Sequence, residues 1–200
     1  PAKSQATEAG NYFVSNYPPF SFWKPDQVPA VEAVLQKPAP ADVPLGVYFH
    51  IPFCRKRCHF CYFKVYTDKN AAEIRGYINA GMKEMAGFAS QPYLAGRKAH
   101  FVYFGGGTPS LWGPAELGRV LEAIRSPLPT SEDREVTVEC NPSSLDEAHA
   151  RRLVGVGVNR LSVGVQSLDP ARLAFLGRLH DAARGLGALL LLRVVEVGEL

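Results

Sequence analysis

The chain is poor in cysteine, with four in 200 residues, and has no stretch of about twenty apolar residues. The first scarcity excludes a disulfide-stapled secreted scaffold, and the second excludes a membrane-spanning helix. The longest apolar candidate, Leu186 to Val197, is interrupted by Gly187, Arg193 and Glu196. An excess of one charge is missing too. The formal net charge of +3 is too small to mark a nucleic-acid binder, and no dense basic block occurs apart from Arg55, Lys56 and Arg57. Three of the four cysteines within one loop suit a reducing cytosol, so a cytoplasmic location is expected, and nothing near Pro1 has the basic and apolar regions of a signal peptide. The first residue is Pro rather than Met, and the chain is read as a fragment or as one that has lost its start.

What is present reads as one α/β domain behind an arm. With 46% hydrophobic and 20% charged residues, the chain has enough apolar material for one core. Residues 1–44 form the arm, in which Pro18, Pro19, Pro25 and Pro29 break regular ladders. Phe20, Phe22 and Trp23 are too apolar for a free tail and are expected to lie against the main domain. Val31 to Gln36 reads as a short helix.

Over residues 45–200 the pattern alternates. Gly46 to His50 is β-rich. Asn70 to Ala89 carries Ile74, Tyr77, Ile78, Met85 and Phe88 at helical spacing, with Asn70 and Glu73 placed as a cap. Ala99 to Phe104 is the second strand, and Pro114 opens a helix with Leu117, Val120, Leu121 and Ile124 on one stripe. Glu135 to Cys140 is the third strand. Ser144 and Glu147 read as a capping box for the next helix, which Gly155 ends, and Asn159 to Val165 is the fourth strand. Asp169 and Pro170 cap a fourth helix, and a fifth helical segment runs from Asp181 to Leu192. The tail from Leu189 reads either as the start of a fifth strand or as an abnormal terminus. Four β-α units in succession predict a parallel sheet with right-handed crossovers and outer helices, a partial (β/α) barrel.

Three of the four cysteines, Cys54, Cys58 and Cys61, follow the apolar run Leu45 to Phe53 directly. Three thiolates on one loop can face a common centre, and soft sulfur selects zinc, copper(I) or iron-sulfur clusters. A structural zinc wants four protein ligands, whereas three thiolates on a 4Fe-4S cubane leave one iron open for a small molecule. Two other chemistries use the same residues: a Cys3His zinc site with His50 or His59, and a redox pair of Cys58 and Cys61. His59 sits between two thiols and would strain to join them, so both histidines are read as non-ligands. Arg55, Lys56 and Arg57 would offset the negative charge of such a cluster and offer an acidic electron carrier a docking point; a solvated loop without a partner is the alternative. Cys140 reads as a small buried residue. Gly105 to Ser110 follows the second strand, at the sheet edge where α/β proteins place ligand loops. It lacks the ending of a phosphate loop and the spacing of a dinucleotide fingerprint, which leaves a ligand loop or a bare turn.

Taken together, the Cys-x3-Cys-x2-Cys triplet with Phe60 before its last member and the Gly-Gly-x-Thr-Pro stretch resemble the radical S-adenosylmethionine (SAM) superfamily. Glu139 to Pro142, Asn159 to Ser167 and Arg178 to Asp181 resemble one branch of it, that of oxygen-independent coproporphyrinogen III oxidase and the related haem chaperones. The resemblance covers about residues 45 to 185. It implies a radical SAM core lacking its C-terminal units and a 4Fe-4S cluster on Cys54, Cys58 and Cys61. It also implies SAM contacts from Gly106, Gly107, Thr108, Glu139, Gln166 and Arg178, with Tyr48 and Phe60 framing cluster and adenine. The implied activity is reduction by flavodoxin or ferredoxin, cleavage of SAM to a 5′-deoxyadenosyl radical, and hydrogen abstraction from a porphyrinogen-like small molecule, ending in oxidative decarboxylation. Phe63 departs from the oxidase, which has a further cysteine there, and agrees with the haem chaperones. A haem chaperone without decarboxylase activity and an inactive fragment therefore stand beside the oxidase reading, whereas a methyltransferase would need a second SAM site. The aromatic arm resembles the one that covers the active site in the anaerobic oxidases, with plain packing as the other use.

Overall fold

The computed structural model describes residues 22–40, 42–61 and 63–196. Within them, β1 (Leu45–Ile51), β2 (Ala99–Gly106), β3 (Thr130–Cys140) and β4 (Arg160–Val163) lie side by side in chain order, and every neighbouring pair is parallel. This is the predicted partial barrel. Period-two alternation gives the sheet two unlike faces. Val47, Phe49 and Ile51 of β1, Val102 and Phe104 of β2, and Val136 and Val138 of β3 are buried. They share one continuous core with Ile78, Leu117, Leu121 and Leu153 from the covering helices. Tyr48, Tyr103 and Thr137, aligned across three strands, belong to the other face.

The helices form where their caps and stripes place them. In α2 (Ala71–Ala89), Asn70 Oδ1 accepts from the N–H groups of Ala72 and Glu73, while Glu73 accepts from the Asn70 N–H, the reciprocal cap expected from sequence. Its apolar stripe is truncated, because Phe88 is 44% exposed. In α3 (Pro114–Arg125) the whole stripe Leu117, Val120, Leu121 and Ile124 is buried. For α4 (Glu147–Gly155) the cap is Asp146, whose carboxylate accepts from the His149 N–H. Ser144, the expected cap, instead ends a 3-10 turn over Pro142–Ser144 and shares a hydrogen bond with Ser110, because the chain has not yet left the sheet edge. Gly155 is the last helical residue, and the left-handed turn after it is made by Gly157 at φ +97°.

The fourth strand is shorter than predicted. Asn159 leaves the ladder and uses its side chain to bridge the β3 backbone, accepting from Val136 N–H and donating to Arg134 O. Asp169 caps α5 (Pro170–Phe175) as expected. The helix α6 (Ala182–Glu196) runs through the ambiguous tail, so that tail is helical as far as Glu196 and starts no strand there; residues 197–200 lie outside the described part. No helix among the described residues is long and apolar enough to cross a membrane.

In the arm, α1 (Val28–Leu35) starts earlier than predicted, because Pro29 fits a first helical turn that needs no N–H. Phe22 and Trp23 are 65% and 57% exposed, against the expectation that they lie on the main domain. The arm meets the domain at the other end of α1, where Tyr93 N–H donates to Leu35 O and the Gln36 amide donates to Gln91. Phe20 lies outside the described residues.

Candidate cofactor site

The site is built at the C-terminal edge of the sheet. The Cys54–Cys61 loop follows β1, which ends at Ile51, and the glycine loop runs on from Gly106 at the end of β2. Backbone bonds stitch the two together: Gly107 N–H donates to Ile51 O at 2.6 Å and Thr108 N–H to Phe53 O at 2.9 Å. A Cβ on Gly107 would stand 2.6 Å from Phe53 O and 2.8 Å from Ile51 O, so the contact admits only glycine. At Gly106, with φ +111°, a Cβ would meet the His50 ring at 2.5 Å. These glycines are required by the packing of the two loops on each other, a demand separate from ligand access.

Cys54, Cys58 and Cys61 line one cavity of about 260 Å³ together with Phe60, Gly106, Gly107, Thr108, Glu139, Gln166 and Arg178. Every SAM contact expected from sequence is in that wall. Tyr48 is not: it lies on the open face of the sheet, its hydroxyl 2.9 Å from His50 Nδ1 and its ring stacked 6.0 Å from Tyr103. Two polar groups point at sulfur. The Thr108 hydroxyl donates to Cys54 Sγ at 3.4 Å, and Arg178 Nη1 donates to Cys58 Sγ at 3.0 Å while its Nη2 holds Gly164 O. Burial pushes the Cys54 thiol above its ordinary pKa, and the Thr108 hydroxyl opposes that shift.

The donor set fits a thiolate-held cluster, since a hydroxyl and a guanidinium beside the sulfurs are groups that stabilise thiolate. No group of three His, Cys, Asp or Glu side chains among the described residues is arranged to hold a single metal ion. A cubane asks for less convergence, because each thiolate binds a different iron. His59 turns outward from this wall, its Nδ1 on Phe175 O. All four cysteines are unpaired, and Cys140 is buried with its pKa pushed up to about 12, chiefly by burial.

The carboxylate of Glu139 is held at both oxygens. It accepts from the Tyr103 hydroxyl at 2.8 Å and from the Gly106 N–H at 3.0 Å, which ties β3 to the glycine loop. Burial, reinforced by the Glu139 hydrogen bond, keeps the Tyr103 phenol protonated by raising its pKa. Burial lowers the pKa of His50, against the pull of Glu139. Gln166 is the only non-glycine residue with a left-handed backbone among those described, at φ +70°, a conformation that tends to mark functional positions. The residue before it is held by buried His180, whose Nε2 lies 3.0 Å from Val165 O. Tyr103 was missed at the sequence level. Alternation along β2 was the available signal, since it puts Tyr103 on the face opposite buried Val102 and Phe104.

The family model described as the radical SAM superfamily matches residues 48–196. "Radical S-adenosyl methionine domain-containing protein 1, mitochondrial" of Bos taurus is 39% identical over 77% of this chain and 34% of its own length. The heme chaperone HemW of Escherichia coli is 34% identical over 68% of this chain and 36% of its own. Among solved structures, coproporphyrinogen III oxidase (HemN) from Escherichia coli, a radical SAM enzyme, superposes with a TM-score of 0.78 at 28% identity, over 92% of this chain and 42% of that one. The chain thus spans about a third of the length of the curated relatives.

Proposed function

Because the chain belongs to the radical SAM superfamily, whose cofactors are a 4Fe-4S cluster and SAM, we propose that Cys54, Cys58 and Cys61 hold the cluster and that Gly106, Gly107, Thr108, Glu139, Gln166 and Arg178 hold SAM. The observation that carries this reading is convergence: residues from the cysteine loop, the glycine loop, the end of β3 and the turns after β4 line one cavity. When bound and reduced by a flavodoxin- or ferredoxin-type donor, the cluster supplies the electron that cleaves SAM to methionine and a 5′-deoxyadenosyl radical. The chain's own residues position and shield. Arg178 and Thr108 lie on the sulfurs, Glu139 is fixed as an acceptor for amino or hydroxyl donors of SAM, and Phe60 and Phe63 narrow the water's approach. Tyr48, bonded to His50 beside the wall, is proposed to frame the cluster and adenine together with Phe60. We divide the chain into a cofactor-binding core, residues 45–200, and a preceding arm, residues 1–44. The unpaired thiols suit a reducing compartment.

For the whole protein's activity we favour a haem chaperone of the HemW kind. Phe63, where the oxidase carries a further cysteine, lines the cavity with its ring 6.0 Å from His50. The second reading is porphyrinogen decarboxylation, supported by the superposition on coproporphyrinogen III oxidase. Incubating the reduced, cluster-loaded protein with SAM and coproporphyrinogen III, and separately with haem, tests both. The favoured reading expects 5′-deoxyadenosine and retained haem without vinyl product; stoichiometric vinyl product and no haem retention would overturn it.

A further inference from the structure

The segment between Cys54 and Cys61 has no regular structure, and Arg55, Lys56, Arg57, His59 and Phe60 on it are exposed. Its ends are tied, Cys54 N–H to Tyr66 O at 3.0 Å, and Arg57 reaches along the loop to Cys61 O. Ordering such a loop costs conformational entropy, which end contacts alone offset poorly. Its middle is gripped from far away in sequence. His59 N–H donates to Leu176 O at 3.1 Å, and the His59 ring Nδ1 lies 2.7 Å from Phe175 O. A carbonyl only accepts, so Nδ1 carries the proton. The ring rests on Gly177, where φ is +69° and a Cβ would stand 2.9 Å from it. The next residue is Arg178, whose guanidinium reaches back to Cys58 Sγ. Two successive residues of the cysteine loop are therefore held by four successive residues, the last of α5 and the three of the turn after it.

We propose that His59 is a positioning residue, a latch that fastens the middle of the cysteine loop to the Phe175–Arg178 turn, so that the loop's shape and the placement of Arg178 are set together. Its consequence for cofactors rests on the cluster reading above, but the latch itself belongs to the cofactor-free chain.

Hydrogen exchange of the cluster-free chain, read on peptides spanning residues 54–61 and 172–178, tests it directly. His59→Phe keeps a ring and removes the donor. Exchange should quicken by about two- to tenfold in both peptides together, the range for losing one ordinary hydrogen bond. His59→Asn, whose Nδ2 stands where the imidazole Nδ1 stood, should restore slow exchange, which loss of packing alone would not allow. Unchanged exchange in the Phe variant, or equal acceleration in the Asn variant, overturns the latch. In the reconstituted protein, iron release to a chelator should be faster for Phe and near wild type for Asn, and the SAM-induced change in the electron paramagnetic resonance spectrum should weaken in Phe alone. Identical release from all three proteins also counts against the latch. A wild-type chain that takes up no cluster refutes the site reading, while the exchange data still decide the latch.

Discussion

On the helix-covered face of the sheet Val47, Phe49, Val102, Phe104, Val136 and Val138 are buried, whereas on the open face Tyr48 and Phe101 are 55% and 43% exposed. The polar groups of the open face satisfy one another: Tyr48 with His50, Tyr103 with Glu139, Arg160 with Glu135. The covered face is therefore maintained by apolar burial, and substitutions there should cost stability. The open face and its upper edge carry pre-aimed polar groups, and substitutions there should cost binding.

The largest expected effect lies on the covered face. Phe104 is fully buried, so Phe104→Ala should lower unfolding free energy by about 3–5 kcal/mol in a denaturant titration. Tyr48→Ala, on the open face, should stay within about 1 kcal/mol of wild type. Equal losses would erase the distinction between faces. Gly107→Ala belongs to both regimes, because its new Cβ meets backbone that cannot yield without shifting both loops. It should cost about 1–3 kcal/mol and also weaken SAM binding, measured by denaturation and calorimetry on the same sample. Glu139→Ala should raise the SAM dissociation constant by about ten- to a hundredfold, the range for a hydrogen bond to a charged group. An unchanged constant would show that Glu139 only braces Tyr103 and Gly106. The smallest effect concerns Cys140. Cys140 also borders the cavity, but it is buried with its pKa pushed up to about 12 and is almost wholly protonated at pH 8, so brief alkylation of the cluster-free fold should leave it unmodified while the three loop cysteines react. Since its unfolded value is about 9, its contribution to stability is constant below pH 9 and declines as pH rises from there toward 12.

Much of this division was legible in the sequence, and for physical reasons. The stripe of α3 and the Asn70–Glu73 cap are local patterns, fixed by residues three and four apart, and they formed as read. The cysteine and glycine motifs carry their chemistry in their spacing, and the structure brings them to one cavity. What was not legible depends on partners distant in the chain. Ser144 looked like a helix cap until Ser110 took its hydroxyl, and Asn159 looked like strand until its side chain bridged Val136 and Arg134. Tyr103 needed the Glu139 carboxylate on β3, His59 needed the carbonyl of Phe175, and the Tyr48 hydroxyl needed the His50 ring. Phe22 and Trp23 were read from hydrophobicity alone, which does not say what an arm touches.

The central claim is that three thiols on one loop, and not the fourth cysteine on β3, hold an iron-sulfur cluster. Anaerobic reconstitution followed by iron and sulfide analysis tests it most directly on wild type, Cys58→Ala and Cys140→Ser. The account predicts about four irons per chain for wild type and Cys140→Ser, and loss of the stable cluster in Cys58→Ala. A full cluster retained by Cys58→Ala, or lost with Cys140→Ser, would contradict it.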